Sequence, residues 1–113
     1  MDTPTLNPEQ SIEAYIESLD TMVAYQPHSI VSKLIANKKS GTVTMFAFDE
    51  GQGISEQALP YDSVLFVTDG ELEIFIAEED PKIVSEGEIV YIPAHTSHML
   101  NGHTAFKMFS IMI

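Results

Sequence analysis

The sequence contains no cysteine, no tryptophan and no arginine; its five basic residues are Lys33, Lys38, Lys39, Lys82 and Lys107. Without cysteine there is no disulfide scaffold, thiolate zinc site, iron–sulfur cluster or cysteine nucleophile, so any metal would have to be held by His, carboxylate or amide groups. Without arginine the chain lacks the planar fork that most often grips carboxylates and phosphates, which disfavours a phosphorylated or strongly anionic ligand. Seventeen acidic residues against five basic ones give a net charge of −12, and that balance argues against nucleic acid as a partner. No apolar run approaches the roughly 20 residues of a membrane span. The opening Met1-Asp2, followed by polar residues, lacks the basic-then-apolar layout of a signal peptide. The expectation is a cytoplasmic protein with no membrane partner.

What is present is enough for one modest core: 113 residues, 44% hydrophobic, with six phenylalanines and four tyrosines. Asn7 as N-cap, Pro8 at the first helical position and Glu9 and Gln10 where a capping box wants them announce a helix. Ile12, Tyr15, Ile16 and Leu19 then recur at helical spacing, which predicts an amphipathic helix of about three turns. After Pro27 the helical period gives way to short β-rich runs, at 29–36, 42–48, 63–68, 71–77, 88–92, 97–100 and 104–113. Ser40-Gly41, Asp69-Gly70, Glu86-Gly87 and Asn101-Gly102 punctuate them, and the Asp-Gly and Asn-Gly pairs read as hairpin turns. The chain therefore divides into a helical lead-in, residues 1–23, and a β body, residues 24–113, within one all-β domain of sandwich or barrel type.

The spacing of the punctuation resembles the cupin family of small antiparallel jelly-roll β-barrels. Its first motif is Gly, five residues, His-x-His, three or four residues, Glu, six residues, Gly, and here that frame runs from Gly51 to Gly70. Its second motif, Gly, five residues, Pro-x-Gly, two residues, His, three residues, Asn, begins at Gly87 and passes through Pro93 to His98. Pro60-Tyr61-Asp62 and Phe106-Lys107-Met108-Phe109 look like the text of very small single-domain bacterial cupins with one conserved barrel. The resemblance implies a jelly-roll barrel with a short N-terminal helix and leaves activity open, because one fold hosts many functions. In metal-binding members both His and the Glu of the first motif and the His of the second hold the ion. The matching positions here are Gln57, Leu59, Ser63 and His98, of which only the last is a good ligand for a transition metal.

The resemblance turns His98 into the barrel, where it could hydrogen-bond a ligand or relay a proton. His95 holds the glycine position of the second motif and could share an ion with His98 across the turn. A rearranged metal set would be His98, His95, Gln57 and Asp62. The plainer reading of Asp62, after Pro60, is a carboxylate that ties a loop, and Glu56 would face inward only if its strand slipped by one residue. His28 and His103 read as surface residues.

If Ser63 points inward, Leu65 and Val67 share its face while Val64 and Phe66 point out, so the strand is apolar on both faces. That double cover predicts a homodimer, unless the N-terminal helix supplies it. With the ion ligands lost, the barrel mouth becomes a pocket with Gln57, Leu59, Ser63, Tyr91 and His98, joined by Leu65, Phe106 and the methionines 45, 99, 108 and 112. The leading expectation is a cupin that binds a small neutral or weakly polar organic molecule with no metal cofactor. The alternatives are a divalent-metal isomerase or oxygenase built on the rearranged set, and a non-enzymatic interaction protein.

Overall fold

The computed structural model describes residues 13–113. One short helix, α1 (Leu19–Met22), precedes nine strands: β1 (Ile30–Lys38), β2 (Gly41–Phe48), β3 (Gly53–Gln57), β4 (Ser63–Asp69), β5 (Glu71–Ile76), β6 (Lys82–Ser85), β7 (Ile89–Ile92), β8 (His98–Asn101) and β9 (Phe106–Met112). They form two antiparallel sheets, of order β1-β2-β9-β4-β7 and β3-β8-β5-β6. The inner faces share one core of Phe48, Leu65, Val67, Ile92, Phe106 and Met108 from the first sheet and Leu72, Ile74, Val84 and Leu100 from the second. Among the described residues no helix is long and apolar enough to cross a membrane.

Strand parity decides which residues reach that core. Ser63, Leu65 and Val67 of β4 are buried while Val64, Phe66 and Thr68 are only half-buried, and their partners Met112, Ser110 and Met108 on β9 share the inner side. Phe48 and Phe106 are fully buried and stack with ring centroids 4.5 Å apart and planes inclined by 12°, an offset aromatic pair that adds to its area burial.

On the opposite side of the first sheet a second cluster gathers Met45 and Ala47 of β2 under Val23, Met22 and Tyr25 from the lead-in. The Tyr25 hydroxyl donates to Asp69 Oδ2 at 2.5 Å. Lys107 Nζ stands 5.2 Å from the Tyr25 ring centroid and donates to the Asp20 carbonyl at 3.2 Å. Burial first, then the Asp69 carboxylate, pushes the Tyr25 hydroxyl well above its ordinary pKa, since both oppose the phenolate. Ahead of it, Lys33 pairs with Glu17 at 2.6 Å, which lays the extended lead-in along the sheet.

Three sequence expectations need correction. Of the expected N-terminal helix, Asn7, Pro8, Glu9, Gln10 and Ile12 lie outside the described residues. Residues 13–18 are not helical, and the helix present is the single turn of α1. Tyr15, Ile16 and Leu19 are exposed there, Ile16 completely, so these three residues of the stripe find no sheet to bury them.

Second, Asp69-Gly70 and Asn101-Gly102 are not hairpins. β4 and β5 lie in different sheets, as do β8 and β9, so each glycine turns a corner between sheets. Gly70 has φ +71°, and a Cβ there would meet the Ala105 carbonyl at 2.2 Å, a place only glycine can occupy. Positive φ serves a corner as well as a hairpin, and composition alone does not distinguish them. Third, β3 and β6 are absent from the β-rich runs read in the sequence. β3 has one apolar residue and a bulge between Ile54 and Gln57, and β6 has four residues behind Pro81, so neither displays alternation.

The stacked pair yields a stability prediction. Phe106→Ala removes a fully buried ring and should cost about 3–5 kcal/mol in urea unfolding, whereas Ile83→Ala, at a side chain 49% exposed, should change stability by about 0.5 kcal/mol or less. Equal effects would mean that the stack is not the anchor of the core.

Candidate functional site

The interior is polarised along the strands. Phe48 and Phe106 pair at one end of the first sheet, and Thr42, Met112, Ser63 and Ile92 form the register row at the other. Next inward come Thr44, Ser110 and Leu65. β7 ends at Ile92 opposite Ser63, and the following turn delivers His98 to the start of β8. In the second sheet His98 therefore stands at the same end as Ser63, between Gln57 of β3 and Ile76 of β5. The buried polar residues among those described are Ser63, His98 and Ser110, at 3%, 5% and 2% exposure, and all three face this end.

The loops behind it are tied. The His95 N–H donates to the Leu59 carbonyl at 2.7 Å. Asp62 accepts from the Ala94 N–H at 2.8 Å through Oδ1 and from the Tyr91 hydroxyl through Oδ2. These two contacts, the Tyr91 hydroxyl first, hold the Asp62 carboxyl below its ordinary pKa despite a small opposing desolvation; the same contact raises the Tyr91 hydroxyl. The Asp62 backbone also exchanges 3.0 Å hydrogen bonds with Ile113 in both directions. His98 Nδ1 lies 2.9 Å from the Thr96 carbonyl, so the ring is held by the turn that precedes it.

Gln57 and His98 are thus cross-strand partners in the second sheet, at the end of the interior where Ser63 faces in from the first. Leu59 lies half-buried in the loop between β3 and β4. Tyr91 does not join them: it pairs with Val64 on the outer side of the first sheet, 51% exposed, with its hydroxyl on Asp62. Expecting it inside ignored the parity that the Ser63–Ile92 pairing imposes. Phe106 belongs to the far end, and Met45 and Met99 face outward beside Phe109 and Phe75, which leaves Met108 and Met112 as the inner methionines.

Glu56 is exposed and accepts from the Ser97 hydroxyl at 2.6 Å, while the bulge keeps Gln57 opposite His98. His103 pairs with Glu73 at 2.9 Å on the outer face of the second sheet, and His28 is exposed. Ser110 and Thr44 went unnoticed in the sequence. The signal was there: in Phe106-Lys107-Met108-Phe109-Ser110-Ile111-Met112, Ser110 holds the parity of buried Phe106 and Met108.

A resident metal can be tested against these donors. The four positions hold one imidazole, one amide, one hydroxyl and one alkyl group, a single strong donor for a transition metal. The rearranged set fares no better, because Asp62 is committed to Tyr91 and Ala94 and His95 is exposed. Among the described residues no three His, Asp or Glu groups converge as a metal site. The residues present do not fit a metal. His95 sits at φ +65°, the left-handed conformation for which the second motif reserves glycine.

The two-sheet arrangement with its corner glycines is the cupin fold. Among solved structures the chain resembles a conserved protein of unknown function from Streptococcus pyogenes, at 24% identity and TM-score 0.83 over 98% of this chain and 95% of that one. It also resembles a cupin superfamily protein from Desulfitobacterium hafniense, at 21% identity and TM-score 0.81 over 96% and 94%. A cupin 2 conserved barrel domain protein from Leptotrichia buccalis is 31% identical, with TM-score 0.79 over 84% of this chain and 46% of that one. No family model and no curated protein matches the sequence.

The tie at Asp62 sets a pH dependence. Its folded pKa is depressed, so the stability it adds is present above the unfolded carboxylate value and is lost as pH falls through the folded value. Thermal melts from about pH 6 to about pH 3 should therefore fall more steeply for the native protein than for Asp62→Asn. Parallel profiles would show that the tie contributes nothing to the folded state.

Proposed function

We propose that this protein binds a small neutral or weakly polar molecule between its sheets, at the end where Gln57, Leu59, Ser63 and His98 meet, without a resident metal. The supporting observation is that Ser63, Ser110 and His98, the buried polar residues among those described, all face one end of an otherwise apolar interior, while no Asp, Glu or Lys is buried there. Burying polar groups costs free energy unless they find partners, and three near one end of an interior that is elsewhere apolar favour an occupant. A cytoplasmic setting belongs to the same reading.

A separate observation favours a homodimer. On the outer side of the first sheet Met45 and Ala47 are covered by the lead-in, but Val64 and Phe66 are only half-buried, and Ile89 next to them is 60% exposed. An uncovered apolar strip of this kind is what a second copy would bury. Ile89→Glu should then shift the sedimentation coefficient to that of a monomer; no change would leave the strip without this role.

Ligand binding is tested by thermal melts of the native protein and His98→Ala against a library of neutral metabolites, with metal content measured on protein purified without chelators. A ligand at about 100 times its Kd adds about 2.7 kcal/mol and raises Tm by several degrees. The expected result is such a shift in the native protein, lost in His98→Ala. Near-stoichiometric transition metal that disappears in His98→Ala would overturn this reading in favour of a metal-dependent enzyme. Shifts equal in both proteins would move the site elsewhere.

A further inference from the structure

We propose that the ligand presents a hydrogen-bond donor, a hydroxyl or N–H on an uncharged molecule, to His98 Nε2; this rests on the binding role proposed above for the Gln57–Ser63–His98 end. Nδ1 of His98 lies 2.9 Å from the Thr96 carbonyl. A carbonyl oxygen only accepts, so Nδ1 carries the hydrogen, and in the uncharged ring Nε2 is left as an acceptor. The ring cannot easily exchange these roles, because the Thr96 carbonyl belongs to a turn pinned on both sides. The Thr96 N–H donates to the Pro93 carbonyl at 3.3 Å, the His95 N–H to Leu59, and the Ala94 N–H to Asp62.

Nothing among the described residues uses the acceptor so created. Nε2 has no hydrogen-bond partner among the described residues, and although the side chain is 95% shielded as a whole, Nε2 is not one of the fully enclosed unpaired atoms, so a ligand can reach it. Its cross-strand neighbours are Ile76, which has no polar group, and Gln57, whose amide makes no bond to it. Ser63, Ser110 and Gln57 can each donate or accept and so leave the ligand free in its choice; His98 does not. A ligand with acceptors alone would set lone pair against lone pair and leave Nε2 buried and unpaired, which weakens binding about tenfold or more. An ionic ligand would shed its water where no Asp, Glu or Lys is buried to balance it.

Four probes of one skeleton separate these demands: cyclohexanol, cyclohexanone, cyclohexanecarboxylate and cyclohexylamine. Each is titrated into protein labelled with ¹⁵N at histidine, and the His98 imidazole nitrogens are followed. In the free protein the ring is expected to be protonated at Nδ1. Cyclohexanol should shift Nε2 and bind about tenfold or more tightly than cyclohexanone, with both ions weaker than the alcohol.

His98→Phe, which keeps a ring but no acceptor, should abolish the preference for the alcohol. A ring protonated at Nε2 in the free protein, a ketone or ion that binds as well as the alcohol, or a preference that survives in His98→Phe would overturn the donor inference and leave the pocket in place. No probe shifting the His98 nitrogens would overturn the inference and the binding reading together.

Discussion

Ser63 of β4 pairs with Met112 of β9 on one side and Ile92 of β7 on the other, and every inner and outer assignment in the first sheet follows from that row. Side chains alternate along a strand, so a slip of one residue would turn Leu65, Val67 and Met108 to the outside and bring Val64, Phe66 and Phe109 in. Both sets are apolar, so hydrophobicity alone discriminates weakly between the two registers. Three features break the tie: Ser63 and Ser110 share the inner parity, Lys107 holds the outer parity with its ammonium over Tyr25, and Gly70 admits one geometry at the corner after β4. The polar inner residues are therefore also markers of register, since the alternative pairing would put Lys107 inside.

Stability and the candidate site occupy opposite ends of the same interior. The Phe48–Phe106 stack fills one end, with Val67, Leu72 and Val84 in the same core. At the other, the loops that carry Leu59, Asp62 and His95 are held by hydrogen bonds rather than by apolar burial. Close packing leaves the aromatic end no room for an occupant, while hydrogen-bonded loops keep polar groups oriented at the other.

Much of this was legible in the sequence, for reasons that can be traced residue by residue. The interval from Gly51 to Gly70 and the run from Gly87 through Pro93 to His98 encode corners, and corners depend on backbone conformations few residues tolerate. That is why the fold could be read while two strands were missed: β3 and β6 are held by their neighbours, with no pattern of their own to betray them. The inward side of Ser63 and His98 was legible because motif spacing counts residues between corners. Tyr91 was misplaced because its side is fixed by pairing across strands, which spacing does not encode. The lead-in failed for the opposite reason. Its apolar period was a local signal, and the sheet used Met22, Val23 and Tyr25 as cover in place of Tyr15, Ile16 and Leu19.

Replacing the ion-holding side chains changes what the inner end demands of an occupant. A site of imidazoles and a carboxylate demands a cation, and the cation then sets the geometry of whatever binds next. With Gln57, Leu59 and Ser63 in those places the first-motif carboxylate is gone, and on the proposed reading orientation falls to the one group whose polarity the backbone fixes. The Thr96 carbonyl does this for His98 from two residues away. On the reading proposed above, a site organised by charge in metal-binding members is organised here by the direction of a single hydrogen bond.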